Sequence, residues 1–327
     1  MTSAGDRYVA LFPGQGSQAV GMGRELFDAR PEAKEVFLEA DDVLGESLSS
    51  LCFEGPLEQL SLTRNTQPAL LTVSVAAWRA LRARGPEPVA AAGHSLGEYS
   101  ALVAAGVLEF SDAVRAVRVR GDAMQAAVPV GIGAMAAVMG GDADAVAKLC
   151  ERVSTELHTV VPANLNAPAQ TVVAGHREAV ERVAELAPEQ GFTRVIPLPV
   201  SAPFHSPLMQ PAARILEAHL QTVDFGRGSF PVVANVDVEP VTGGAAARER
   251  LVKQMASPVR WVETVERLAG RGGAAVAAEL GPGKVLAGLV RRIDRSLRVL
   301  PGGTPQDIES FLDQLEPPAG AQEAAEE

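Results

Sequence analysis

Residues 89–106 read VAAAGHSLGEYSALVAAG. A short apolar run ends at about Ala92, and a small-residue helical pattern spans about 96–106. Between them lies Gly93-His94-Ser95-Leu96-Gly97, of the form G-x-S-x-G. A strand that turns into a helix through this motif is how α/β sheets present a nucleophilic serine. The glycines have a steric reason: at so tight a corner the serine is strained, and neighbouring Cβ atoms collide. The new helix offers free amide hydrogens and partial positive charge beside the hydroxyl, making the Leu96 amide a natural oxyanion donor. The motif also describes an ordinary glycine-flanked turn, and it does not decide the reaction.

Outward from this corner, strands and helices alternate. YVALFPGQG (8–16) reads as a buried strand running into a glycine-rich turn. Helical patterns cover about 31–44 and 66–84, and another runs from a Ser111 cap to about 127. After AVPVGIG the rhythm changes to strand, helix, strand, helix, strand through RVIPLPV. This predicts an inserted subdomain over 130–198, a split βαβ sheet bounded by proline- and glycine-rich joints. The larger body, 1–129 and 199–315, resumes with a helix at about 206–222, strand VVANV, helices within 245–271, strand AAVAAEL, turn GPGK and a final helix. Such alternation implies an α/β fold with a mostly parallel, doubly wound sheet. Residues 316–327 are acidic and low in complexity, a tail expected to be disordered.

Composition narrows the function classes. Hydrophobic residues make up 47% and charged ones 21%, ordinary for a soluble enzyme. The formal net charge of −11 argues against nucleic-acid or anionic-membrane binding. No apolar run approaches the roughly 20 residues of a membrane span, and the first residues lack the basic start and apolar core of a secretory signal. Cys52 and Cys150 read as two reduced, buried thiols without zinc-ligand spacing, so a cytoplasmic location is expected.

A nucleophilic serine needs a base. Of five histidines, His94 adjoins Ser95 and reads as a packing residue, because the corner turns neighbouring side chains away. His158, His176 and His219 suit joint and surface roles. His205 lies in PLPVSAPFHSPLM, a proline-constrained loop between a strand and a helix, where such sheets place catalytic groups. No acidic partner stands out, and a backbone carbonyl can fix the imidazole tautomer instead. In DAVRAVRVRGDAMQAA, Arg115 and Arg118 share a solvated face with Asp122, whereas Arg120 falls on the small apolar face. A guanidinium facing a core needs an acceptor: an internal carboxylate, or a substrate carboxylate gripped bidentately. Glycines on both sides of Gln15 in FPGQGSQ let its backbone approach a ligand, and no Walker Lys-Ser/Thr follows.

Six motifs occur in order: FPGQGSQ, GHSLGEYSALVAAG, VRVRGDAMQAAVPVGIGAM, PANLNAPAQTVVAGH, PLPVSAPFHSPLM and ELGPGKVLAGL. In these, over about residues 7–300, the chain resembles the malonyl-CoA:acyl-carrier-protein transacylases of fatty-acid synthesis. The resemblance implies an α/β-hydrolase-like large subdomain with a ferredoxin-like insert. It also implies Ser95 as acyl-accepting nucleophile, His205 as general base and Arg120 as the grip on the malonyl carboxylate. Gln15 and Leu96 match the residues whose amides form the oxyanion hole, and Gln254 the one whose main-chain carbonyl orients the histidine. Asn164 and Asn166 match a segment facing the cleft, and Phe204 adjoins the base where it could narrow the acyl pocket. No metal or redox cofactor is implied, since the coenzyme A thioester is the substrate. The partner would be acyl carrier protein, met by a local basic surface with Arg291 and Arg292 as contacts, and a monomer is expected. Three rivals stay open: a serine thioesterase or hydrolase, a stand-alone acyltransferase serving a polyketide synthase, and a silent carrier-binding subunit.

Overall fold

The computed structural model describes residues 7–200 and 202–315; the acidic tail expected to be disordered, 316–327, lies outside the described residues. The chain opens with β1 (Tyr8–Phe12), then α1 (Arg24–Ala29), α2 (Pro31–Leu44), α3 (Leu48–Glu54), α4 (Leu57–Leu60) and α5 (Thr63–Arg82). The elbow region is β2 (Ala90–Gly93), α6 (Gly97–Ala104) and α7 (Phe110–Ala126). The insert comprises β3 (Gly133–Met139), α8 (Ala143–Val153), β4 (Val160–Ala167), β5 (Gln170–His176), α9 (Arg177–Leu186) and β6 (Arg194–Pro197). The large body returns with α10 (Gln210–Leu220), β7 (Arg227–Val233), β8 (Pro240–Gly243), α11 (Gly244–Gln254) and α12 (Trp261–Leu268). It closes with β9 (Val276–Glu279), α13 (Val285–Ile293), β10 (Arg298–Pro301) and α14 (Pro305–Leu315).

The large sheet has the order β10-β9-β1-β2-β7-β8, parallel except for β8 at one edge. Its central strands are apolar throughout because helices cover both faces. Alternation along β1 sorts them: Tyr8, Ala10 and Phe12 pack into one core, Val9 and Leu11 into the other. Each large side chain buried there contributes roughly 1.5–3 kcal/mol. The insert forms an antiparallel sheet of order β4-β5-β3-β6 with α8 and α9 packed on it. With its β-α-β-β-α-β sequence, this is the ferredoxin-like arrangement.

Sequence and structure differ in several elements. The insert has a further strand, β4, in VVPANLNA, where a proline and two asparagines obscured the pattern. The large sheet gains two short strands, β8 and β10, and the chain a last helix, α14. Ser111 caps nothing: α7 begins at Phe110 with Glu109 at its N-cap and no side-chain cap.

What positions the site is the direction of the parallel strands. Ligands of such sheets bind outside the carboxyl ends of the strands. There β1 leads to Gln15, β2 to Ser95, and β7 to Asn235.

Candidate active site

Ser95 occupies the corner between β2 and α6 with φ 51°, in the left-handed region that an L-residue tolerates only under constraint. The constraint is close packing. A Cβ on Gly93 would stand 1.8 Å from the Gly97 carbonyl carbon, and one on Gly97 would stand 2.1 Å from the Phe12 oxygen. The Ser95 amide donates to Asn235 Oδ1 at 2.7 Å, and Asn235 Nδ2 donates to the Gly93 carbonyl at 2.8 Å. One buried side chain thereby spans the elbow.

His205, at φ 58°, is also left-handed. Its Nε2 lies 2.7 Å from Ser95 Oγ and its Nδ1 2.9 Å from the Gln254 carbonyl oxygen. A carbonyl only accepts, so Nδ1 carries the proton and Nε2 is free to accept the serine hydroxyl. Burial, followed by the nearby Arg120 charge, pushes the imidazole down to about 3. The ring is therefore neutral over the physiological range, with the Nε2 lone pair open to the serine proton.

Arg120 is 1% exposed. Its Nη1 donates to Gln67 Oε1 at 2.9 Å, and its Nη2 donates to Gln254 Oε1 at 2.9 Å and Ser95 Oγ at 3.1 Å. Nε is buried without a partner. Among the described residues no carboxylate forms a salt bridge with it, so the internal-acid alternative is not what is found. A desolvated cation held only by neutral acceptors, beside a nucleophilic oxygen, favours an anionic group there. The solvated stripe predicted for its neighbours is redrawn too: Arg118 reaches Asn65 and Glu46, and Asp122 pairs with Arg64.

These groups line a cleft of about 110 Å³ that also takes in Gln15, Leu96, Met124, Asn164 and Phe204. Among the described residues, the backbone amides of Gln15 and Leu96 have no acceptor. His94 is more than packing. Its ring meets Trp261 edge-on, and its Nε2 lies 2.8 Å from Oδ1 of Asn166, tying the large body to β4. Arg291 and Arg292 are exposed in the last turn of α13, bordering a surface groove with Lys284, Arg295 and Arg298. Arg292 Nη1 donates to Gln170 Oε1 at 2.8 Å, a second link to the insert.

Sequence reasoning missed Gln67, Glu98 and Asn235. Glu98 had a signal: it is the one carboxylate between Glu87 and Glu109, in a helix whose other residues are uncharged. Gln67 and Asn235 carried none, because their partners lie 53 and 140 residues away.

A half-buried serine against a buried histidine, with a buried cation beside them on a hydrolase-like sheet, belongs to acyl-group chemistry. The family model described as the acyl transferase domain matches residues 9–308, which sets the class. The malonyl CoA-acyl carrier protein transacylase of Bacillus subtilis (strain 168) is 49% identical over 305 residues, 93% of this chain and 96% of that protein. The structure of the malonyl CoA-acyl carrier protein transacylase from Coxiella burnetii superposes with a TM-score of 0.92 at 44% identity, covering 95% of this chain and 98% of that one. A malonyl-transacylase solved in complex with its type II PKS acyl-carrier protein gives 0.90 at 45% identity, covering 94% and 99%. The chain belongs to the malonyl CoA-acyl carrier protein transacylase family.

Proposed function

We propose that this protein moves a malonyl group from malonyl-CoA to the phosphopantetheine thiol of acyl carrier protein, through an ester on Ser95. The observation that carries this reading is the position of Ser95 Oγ, 2.7 Å from His205 Nε2 and 3.1 Å from Arg120 Nη2. The first contact supplies a base and the second a site for the carboxylate that distinguishes malonyl from acetyl.

In the first half-reaction His205 Nε2 takes the Ser95 proton as Oγ attacks the thioester carbonyl. The amides of Gln15 and Leu96 receive the oxyanion. The intermediate collapses, the C–S bond breaks, and the imidazolium returns its proton to the departing coenzyme A thiolate. In the second half-reaction the carrier thiol gives its proton to His205 and attacks the ester carbonyl. Ser95 leaves and takes the proton back. Arg120 holds the malonyl carboxylate through both halves. Asn164 and Phe204 shape the cleft around the acyl group, and Asn166 acts behind it by holding His94.

This reading needs no resident cofactor and has the chain act as a cytoplasmic monomer. Among the described residues no helix is long and apolar enough to cross a membrane. Supply of malonyl units to fatty-acid elongation is the pathway reading. The likeness to a transacylase complexed with a type II PKS acyl-carrier protein favours a polyketide carrier as the second reading. Intact-mass analysis after mixing with malonyl-CoA tests the ester: a malonyl adduct absent from Ser95→Ala is expected. Adding either kind of carrier should discharge the adduct onto the carrier. Rapid hydrolysis indifferent to carrier would overturn transfer in favour of a thioesterase.

A further inference from the structure

The mechanism leaves one buried acid unused. Glu98, in the first turn of α6, is 2% exposed. Its Oε2 accepts from the Asn235 backbone N–H and from Gln254 Nε2, each at 2.9 Å. Both partners go on to the reacting groups. Asn235 grips the Ser95 amide and the Gly93 carbonyl, as described above. The side-chain nitrogen of Gln254 also donates to the Ser95 carbonyl at 3.1 Å. Its side-chain oxygen accepts from Arg120, and its main-chain oxygen accepts from His205 Nδ1.

We infer that Glu98 is a positioning residue for acyl transfer, a single oxygen that fixes the nucleophile, the base and the carboxylate grip relative to one another. This rests on the roles of Ser95, His205 and Arg120 given above. The Gln254 amide is the pivot, because its two ends are nearly equal in shape and opposite in hydrogen bonding. With its NH2 held by Glu98, the oxygen must face Arg120. Turned over, the NH2 would meet the guanidinium, donor against donor, and the oxygen would meet the Glu98 acceptor. The orientation of that amide decides whether Arg120 stays aimed into the cleft. Loss of the same acceptor would also free the Asn235 main chain and loosen its hold on the strained serine.

Acceptance, rather than charge, is what the geometry asks of position 98. Burial raises the carboxyl of Glu98 to about 7, so much of it is neutral under working conditions without loss of the accepting oxygen. A glutamine keeps that oxygen; a methionine of similar length does not.

The test compares Glu98→Gln and Glu98→Met with the parent in three measurements. The first is thermal melting, which establishes that each variant is folded. The second is labelling of Ser95 by a neutral fluorophosphonate, which reads nucleophile and base without any carboxylate. The third is the ratio of kcat/KM for malonyl-CoA to that for acetyl-CoA, which reads Arg120. For Glu98→Met we expect labelling at least 10-fold slower and a malonyl:acetyl ratio at least 10-fold lower. For Glu98→Gln we expect both within threefold of the parent. A folded Glu98→Met within threefold of the parent on both readouts overturns the inference, as does a Glu98→Gln impaired 10-fold. If Glu98→Met does not fold, Glu98→Gln alone decides on the same limits. Should the parent transfer no malonyl group, the proposed function fails, and the labelling arm still judges Glu98.

Discussion

Arg120 is a cation whose direct hydrogen-bond partners are the neutral oxygens of Gln67, Gln254 and Ser95. Charge-assisted hydrogen bonds to a desolvated carboxylate are worth roughly 1.5–3 kcal/mol each. Arg120→Ala should therefore lower kcat/KM for malonyl-CoA about 100-fold or more while acetyl transfer is kept or gained, as steady-state kinetics with both thioesters would read. An unchanged preference would remove Arg120 from substrate binding. The two buried titratable neighbours act in opposite directions on stability. His205 is held down at about 3, so the unfolded chain binds its proton first, and stability is lost as pH falls from about 6.5 toward 3. Glu98 is raised to about 7 by burial, with Asp237 adding to the shift and Arg120, Asn235 and Gln254 opposing it. Its stabilising contribution is present below 4.5 and is lost as pH rises through 7. Relative to Glu98→Gln, the parent should lose about 3 kcal/mol of unfolding free energy between pH 4.5 and 8, measured by urea titration. Labelling of Ser95 by a neutral fluorophosphonate should show no titration near pH 6.5. At this scale Ser95, His205 and Arg120 were legible because each departs from its local setting: a strained corner, a proline-bound loop, a charge on an apolar face. Asn235 and Gln67 depart from nothing nearby.

Among the elements, the β2–α6 elbow was readable because its signal is contiguous: a strand, two glycines around a serine, then a helix. The clash at position 93 makes Gly93→Ala a severe change, expected to cost several kcal/mol and to abolish Ser95 labelling. The join of β9 to α13 was named only as a GPGK turn, and its principle is visible in three dimensions. Glu279 is fully buried, and its two oxygens accept from the Leu286 and Ala287 amides, both at 2.8 Å, so the strand end caps the following helix. Glu279→Ala should lower stability by about 1–2 kcal/mol, read by chemical denaturation, since two helix-start donors lose their acceptors. β4 escaped the sequence reading because it bends: its pairing with β5 shifts register between Pro162 and Asn164 and again between Leu165 and Ala167. Those same irregularities accompany the placing of Asn164 in the cleft lining and of Asn166 against His94, so the period failed where the strand meets the candidate site.

Over the whole molecule, the alternation of strands and helices made the parallel sheet and the presence of an insert legible. Short edge strands such as β8 and β10, four residues each, left little pattern to read. Charge matters at this scale as well. The chain is acidic overall, with a formal net charge of −11, yet Lys284, Arg291, Arg292, Arg295 and Arg298 border one groove. With carrier protein docked there, as the resemblance implies, Arg291→Glu with Arg292→Glu should slow transfer to carrier at least 10-fold in low salt and leave acylation of Ser95 by malonyl-CoA unchanged. Equal slowing of both steps would move the docking surface elsewhere. The insert begins at β3 and ends at β6, and these strands lie side by side: Ala136 faces Pro197, and the Leu198 amide donates to the Met135 carbonyl at 2.9 Å. A segment that departs and returns through adjoining points is exchangeable in principle, as a cassette is. Grafting residues 133–197 of a relative with another acyl preference would therefore leave Ser95, His205 and Arg120 on their own scaffold, and would sort substrate choice into the share the cassette carries and the share its socket keeps.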